Sequence, residues 1–203
     1  MSKKKTTHMG SKQGYDKYAE FYDKKLAYLD SFEQNKLLPL LVNVKNKKIL
    51  DAGCGTGRLT VKLAKMGAQV SALDISPKIL NILKLKNPEI KTMTADAERI
   101  PLGDNQFDYV TAAFLIVHLQ DPVIFFNEAW RVLKTGGALI VTNINQKKPP
   151  ELKTRSGLIS IESYYHRPEK IISELEKLGF AIKENILIEE KSVWIDQIIL
   201  AEK

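Results

Sequence analysis

The sequence predicts an α/β fold, a doubly wound and mostly parallel sheet flanked by helices, on three observations. Short apolar runs at residues 48–52, 69–74, 90–94, 107–114 and 138–143 alternate with stretches of helical period. The first run leads into a turn with glycine at alternate positions, Gly53, Gly55 and Gly57, and an amphipathic segment follows. The fourth run is nearly unbroken apolar, as a strand covered on both faces must be. Strands and helices alternating at this length make βαβ units.

Before the glycine turn, residues 16–28 read as a helix, since Tyr18, Tyr22 and Leu26 recur at intervals of four on one face. Ser31 with Gln34 forms a capping box for a second helix, which Pro39 kinks or ends. Residues 48–52 are the first strand and 57–65 its helix, closed by Gly67. After the strand at 69–74, Ser76 caps the next helix with Pro77 at its first position, and Asn87-Pro88 stops it. Residues 95–105 are a polar loop. Asp121-Pro122 opens a helix to about Lys134, ended by Gly136-Gly137. Residues 146–162 read as a polar loop, residues 167–178 as a helix closed by Gly179, and residues 181–189 and 192–201 as an antiparallel hairpin. Residues 1–13 are expected to be a disordered leader or tag remnant. Residues 14–203 then make one domain, with 14–47 a helical cap and 146–166 a lid loop.

The 203 residues suffice for a substantial core, and 44% hydrophobic with 27% charged is ordinary for a globular chain. No run approaches a membrane span of roughly 18 apolar residues. One cysteine forms no internal disulfide, and no secretory signal follows the N-terminal lysines, so the expected location is cytoplasmic. The net charge of +7 would point to nucleic acid were it spread over the molecule. Residues 1–50 hold 11 lysines against 5 acids, whereas the remainder holds 20 basic residues against 19 acids. The body is almost neutral, which argues against a nucleic-acid partner, although the basic N-terminal helices leave one open.

The glycine turn decides the ligand class. A dinucleotide fingerprint requires G-x-G-x-x-G. Counting from Gly53 puts Arg58 where the third glycine belongs, and counting from Gly55 puts Thr60 there. The pattern present is Asp51-x-Gly53-x-Gly55-x-Gly57, an acid before the turn and nothing specialised for a pyrophosphate.

Five segments then carry a family resemblance: residues 49–57, the Leu73-Asp74-Ile75-Ser76 run, Asp96-Ala97-Glu98 with Leu102, Phe107-Asp108-Tyr109-Val110, and residues 131–137. In order and spacing they resemble the class I S-adenosylmethionine-dependent methyltransferases, most closely the type 11 group that includes quinone-biosynthesis C-methyltransferases. The likeness runs from about Tyr15 to the C-terminus. It implies a seven-stranded sheet whose last strand is reversed in a hairpin. The implied donor is S-adenosyl-L-methionine and the product S-adenosyl-L-homocysteine. By resemblance, Asp51 lies near the methionine ammonium, directly or through water, Asp74 accepts from both ribose hydroxyls, and Asp96 with the Ala97 N–H reads the adenine between Ile75 and Leu102. Gly53, Gly55, Gly57 and Ala113 let the chain approach the ligand. Cys54 belongs to the same turn, its thiol a small filler and not a nucleophile.

Methyl transfer is an in-line displacement, in which aligning the reactants supplies roughly 7–11 kcal/mol, and an acceptor that must lose a proton also needs a base. His118 follows the fourth strand at the carboxyl edge. It either takes that proton or packs and caps the next helix. Tyr18 and Tyr22 either close over the site, with Tyr22 a second catalytic candidate, or simply pack. Tyr164, Tyr165 and His166 are weaker lid candidates, and Asp108 reads as structural. Where base-amine methyltransferases carry an Asn-Pro-Pro-Tyr run, this chain has Ala112-Ala113-Phe114-Leu115. The acids of metal-dependent O-methyltransferases are missing from residues 141–145. The expectation is therefore a metal-free enzyme that methylates O, N or C of a small molecule. An RNA or protein methyltransferase is the alternative, followed by a donor-binding protein without catalysis. The sequence leaves acceptor and oligomeric state open.

Overall fold

The computed structural model describes residues 6–203, and among them every side chain except those of residues 25–28, 34 and 35. The chain enters through β1 (Thr7–Met9) and α1 (Ser11–Tyr22), then passes through a 3-10 turn at Asp23–Lys25 into α2 (Leu26–Leu37). The alternating core follows: β2 (Lys48–Ala52), α3 (Thr60–Lys65), β3 (Gln69–Asp74), α4 (Pro77–Lys86), β4 (Lys91–Thr94), β5 (Phe107–Ala112), α5 (Pro122–Val132) and β6 (Leu133–Ile144). After a hairpin of β7 (Glu151–Thr154) and β8 (Gly157–Ile161) come α6 (Pro168–Lys177), β9 (Ala181–Glu190) and β10 (Val193–Glu202).

Seven strands form the main sheet in the order β4-β3-β2-β5-β6-β10-β9. β2 pairs in parallel with both β3 and β5, so the winding reverses between β2 and β5. Loops at the carboxyl ends of those two strands diverge and leave a crevice, the usual ligand position in an open α/β sheet. β10 runs antiparallel to β6 and to β9, the expected reversed strand. Its hairpin turns on Lys191 and Ser192, at φ 50° and 63°, the pairing of positive angles that a two-residue turn demands.

Each face of the sheet carries its own core because strand side chains alternate. On β2, Leu50 joins Phe125, Phe126 and Leu175 under α5 and α6, while Ile49 joins Leu37, Leu41 and Leu63 under α2 and α3. Each such side chain contributes about 1.5–3 kcal/mol by leaving water. Helix starts match their capping residues: the Ser76 Oγ accepts from the Ile79 N–H at 3.2 Å, and an Asp121 carboxylate oxygen from the Val123 N–H at 3.1 Å.

Three expectations are corrected. Residues 6–13 are not a loose leader: β1 pairs in parallel with β8, and α1 begins at Ser11; residues 1–5 lie outside the described residues. Residues 146–162 are not a plain loop, because β7 and β8 form an antiparallel hairpin that β1 completes into a second, three-stranded sheet. Ser31 does not start a helix but sits inside α2, and the side chain of its expected partner Gln34 lies outside the described residues.

Candidate functional site

The crevice holds a cavity of about 500 Å³ whose floor is the glycine turn. Gly53 and Gly55 lie in the wall at φ 67° and 56°, angles open to glycine at no steric cost. A Cβ on Gly53 would come within 2.9 Å of Leu115, and one on Gly55 within 3.0 Å of the Tyr22 hydroxyl. The turn is thus a cradle that any side chain would fill. Gly57 serves packing instead. It lies outside the cavity at φ 91°, and a Cβ there would overlap a Leu83 methyl of α4.

Asp74 stands at the tip of β3 in the cavity wall, its carboxylate accepting the Gly55 and Ser76 N–H groups at 2.9 Å each. Burial pushes its pKa up to about 6, against the pull of those two N–H bonds. Ile75, Asp96, Ala97 and Ala113 also line the cavity. Asp96 accepts the Glu98 N–H at 2.9 Å through one oxygen, Oδ1. Among the described residues the wall carries three carboxylates, Asp74, Asp96 and Glu98, against one lysine, Lys12.

Asp51 is placed elsewhere. It is 2% exposed, absent from the cavity wall, and accepts from the Thr60 hydroxyl and, at 2.8 Å, from that of Thr111. It therefore ties β2 to β5 and α3 beneath the turn and does not line the cavity. Leu102 packs on the core and does not line the cavity either. Cys54 is the filler expected, packed among Ala72, Leu80 and Leu83, and burial raises its thiol pKa far from reactivity. Asp108 sits at the opposite edge of the sheet, accepting from the Lys48 N–H and Lys134 Nζ at 2.8 Å each.

A second cavity of about 460 Å³ lies between the cap and the sheet. α1 and α2 supply Tyr18, Leu29 and Phe32; the small sheet supplies Leu152 and Ile161; the hairpin supplies Val193, Trp194 and Ile195. Among the described residues its wall has one acid, Glu190, and no lysine or arginine. Four residues line both cavities: Tyr15, Tyr22, Phe114 and His118. Tyr22 and His118 thus line the junction, and Tyr18 lines only the second cavity.

Tyr15 was not foreseen. Its hydroxyl lies 2.6 Å from His118 Nε2, and the two rings meet edge to face at 5.2 Å. His118 Nδ1 lies 2.8 Å from the Glu162 carbonyl oxygen. A carbonyl only accepts, so Nδ1 carries the ring proton and Nε2 accepts from Tyr15. Burial lowers the His118 pKa, only partly offset by that carbonyl, and keeps the ring neutral near pH 7. The sequence signal was available, since Tyr15, Tyr18 and Tyr22 share a helix face. Its partner is 103 residues away, and spacing says nothing about that.

Two acids seat α1 on the first cavity. Asp16 accepts from the Ser76 hydroxyl and Asp23 from that of Thr56, each at 2.6 Å, and Asp23 also pairs with Lys86. The remaining lid candidates are structural. The Tyr164 N–H donates to the Val117 carbonyl, Tyr165 lies beside Trp194, and His166 is buried with Nε2 at 3.0 Å from the Ile116 and Leu119 carbonyls. No group of side chains with metal-ligand geometry occurs among the described residues.

Residues 50–141 match the family model described as a methyltransferase domain. The demethylmenaquinone methyltransferase of Staphylococcus carnosus is 36% identical over 143 residues, which cover 65% of this chain and 59% of that protein. The chain thus aligns with less than two thirds of the length of such relatives. Among solved structures, magnesium protoporphyrin IX methyltransferase from Synechocystis with bound S-adenosylhomocysteine superposes with a TM-score of 0.72 at 20% identity, covering 94% of each chain. The cyclase SpnF superposes with a TM-score of 0.71 at 17% identity, covering 98% of this chain and 99% of that one. Likenesses at such identity establish the fold.

Proposed function

We propose that the chain, whose residues 50–141 match the methyltransferase-domain family model, transfers a methyl group from S-adenosylmethionine to a neutral, largely apolar small molecule. The carrying observation is the pair of cavities that meet at four side chains and differ in character. The first cavity suits the donor. A sulfonium nucleoside is cationic and has no phosphate, and three carboxylates against one lysine favour a cation and disfavour a pyrophosphate. The glycine cradle at Gly53 and Gly55 is room that a Cβ would remove. Asp74 would accept from the ribose hydroxyls, and Asp96 with the Ala97 N–H would receive the base.

When bound, the donor supplies an electrophilic methyl on sulfur. The chain's residues supply alignment: Tyr22 and Phe114 flank the junction, and the second cavity holds the acceptor against it. That cavity is walled by aromatic and aliphatic side chains with few polar groups, which fits a flat apolar acceptor. An RNA acceptor would meet no cation there among the described residues. The demethylmenaquinone enzyme named above has an acceptor of the favoured kind. The fold alone does not dictate methyl transfer, since SpnF is a cyclase.

Labelled S-adenosylmethionine incubated with the chain and fractionated cell extract tests the proposal. Label is expected in organic-soluble small molecules and not in the RNA or protein fractions. Label confined to a macromolecular fraction would overturn the acceptor assignment, and no transfer from any fraction would overturn the activity.

A further inference from the structure

Resting on that reading, we propose that Tyr15 and His118 together remove the acceptor's proton, Tyr15 taking it from the acceptor and passing its own to His118. The geometry allows one direction of travel. His118 Nδ1 is committed to the Glu162 carbonyl at 2.8 Å, and Nε2 is covered by the Tyr15 hydroxyl at 2.6 Å. An acceptor therefore does not reach the imidazole lone pair without displacing Tyr15. The Tyr15 oxygen keeps lone pairs free while it donates, and the residue lines both cavities.

The step balances. The acceptor O–H bond breaks as its oxygen gains the methyl and the sulfur–methyl bond breaks. The acceptor proton goes to the Tyr15 oxygen, and the Tyr15 proton goes to His118 Nε2. The positive charge that the donor brought ends on the imidazolium, leaving neutral S-adenosylhomocysteine and a neutral methyl ether. Tyr15 is unchanged at the end, so its own acidity never has to match the reaction. That matters because burial, together with Tyr22, Asp74 and Tyr18, raises its pKa well above the ordinary value.

The dyad is assembled by the cap. The Glu162 N–H donates to the Met9 carbonyl at 2.8 Å, so the residue that orients His118 is itself held by β1. Tyr15 follows on α1, and Gly14 is a glycine because a Cβ there would lie 2.6 Å from Ile161 of β8. Strand β1, the β8 end, the imidazole and α1 thus close one ring of contacts. The charged and titratable groups facing the pair are Tyr18, Tyr22 and Asp74 beside Tyr15, with the Glu162 carbonyl on His118.

Two measurements on the full chain test the relay. In the first, 15N-histidine NMR should find His118 protonated at Nδ1, with a titration midpoint that rises about half a unit in Tyr15→Phe as the neutral ring loses its hydrogen bond. In the second, methylation is followed on 2-naphthol, which must lose a proton, and on quinoline, whose ring nitrogen has none to lose. Tyr15→Phe should slow 2-naphthol about 100-fold and quinoline no more than a few-fold, and His118→Gln should repeat the split. Equal losses on both probes, or an Nε2-protonated ring with an unmoved titration, would overturn the relay. If neither probe reacts, the NMR result alone decides it. A wild-type chain that fails to bind S-adenosylmethionine at all would instead overturn the reading beneath it.

Discussion

The two cavities are built from opposite kinds of sequence. The cavity proposed for the donor is largely local: its floor is the glycine turn, and its carboxylates come from the tip of β3 and the segment after β4, each a run of a few residues. The cavity proposed for the acceptor gathers residues 18, 32, 152, 161 and 194, which only the folded cap brings together. A local site is specified by a motif, and the sheet merely orients it. A gathered site depends on how helices and a second small sheet dock, so its chemistry changes without any motif changing.

The sharpest way to break that division is a pair of glycine variants. Gly55→Val puts a branched side chain at φ 56° into the donor cavity against Tyr22. It should weaken S-adenosylmethionine binding more than about 100-fold by calorimetry. Gly57→Ala, two residues on, should instead cost about 2–3 kcal/mol in denaturant melts through its clash with Leu83 and leave the affinity of the folded protein within a few-fold. If both variants lose ligand equally, the turn is not divided as described.

Asp74 supplies a pH test of the same half. Its pKa is raised to about 6, and the ionised carboxylate attracts the cationic donor and accepts more strongly from its hydroxyls than the protonated one. Affinity should be flat above pH 7 and fall about tenfold by pH 5, a slope that Asp74→Asn removes. The linkage runs the other way for the ligand-free chain. A raised folded pKa adds stability at low pH that is lost as pH climbs from about 4 to 6. On the gathered side, Trp194→Ala should raise the KM for 2-naphthol about fivefold to tenfold while the donor affinity stays unchanged. A matching loss of donor binding would mean that the cavities are not separable.

The smallest effect lies outside both cavities. Asp196 is fully buried under α2, with Oδ1 accepting the Gln197 N–H. Burial and the nearby Glu33 push its pKa up to about 9. The unfolded chain ionises this carboxyl near 4 and the fold keeps it protonated, so stability falls as pH rises between those values. Asp196→Asn should add about 1 kcal/mol at pH 7.5, a Tm gain of about 2–4 °C, and flatten that slope. An unchanged melt would show the carboxyl to be ionised in place.

Legibility in the sequence followed the same split. The strands at 48–52 and 69–74 were readable to the residue, because apolar runs, capping residues and glycines agree there. Gly53, Gly55, Asp74, Ile75, Asp96, Ala97 and Ala113, all named from the sequence, line the first cavity. The motif does not reveal that two threonine hydroxyls, one of them 60 residues away, donate to the Asp51 oxygens beneath the turn. The β7–β8 hairpin was hidden by polarity: Glu151-Leu152-Lys153-Thr154 buries only alternate side chains, and a single buried face offers half the apolar signal of a core strand. The alternation and the Arg155-Ser156 turn ahead of Gly157 were there to be read. The β1 strand was not, because three residues without an apolar run pair only once β8 is in place.

The most direct test is a calorimetric titration of the full chain with S-adenosylmethionine, S-adenosylhomocysteine and NAD. One-to-one binding of both sulfur nucleosides at micromolar affinity, with no heat from NAD, is the expected result. Tighter binding of NAD, or silence from all three, would contradict a donor site on the glycine turn.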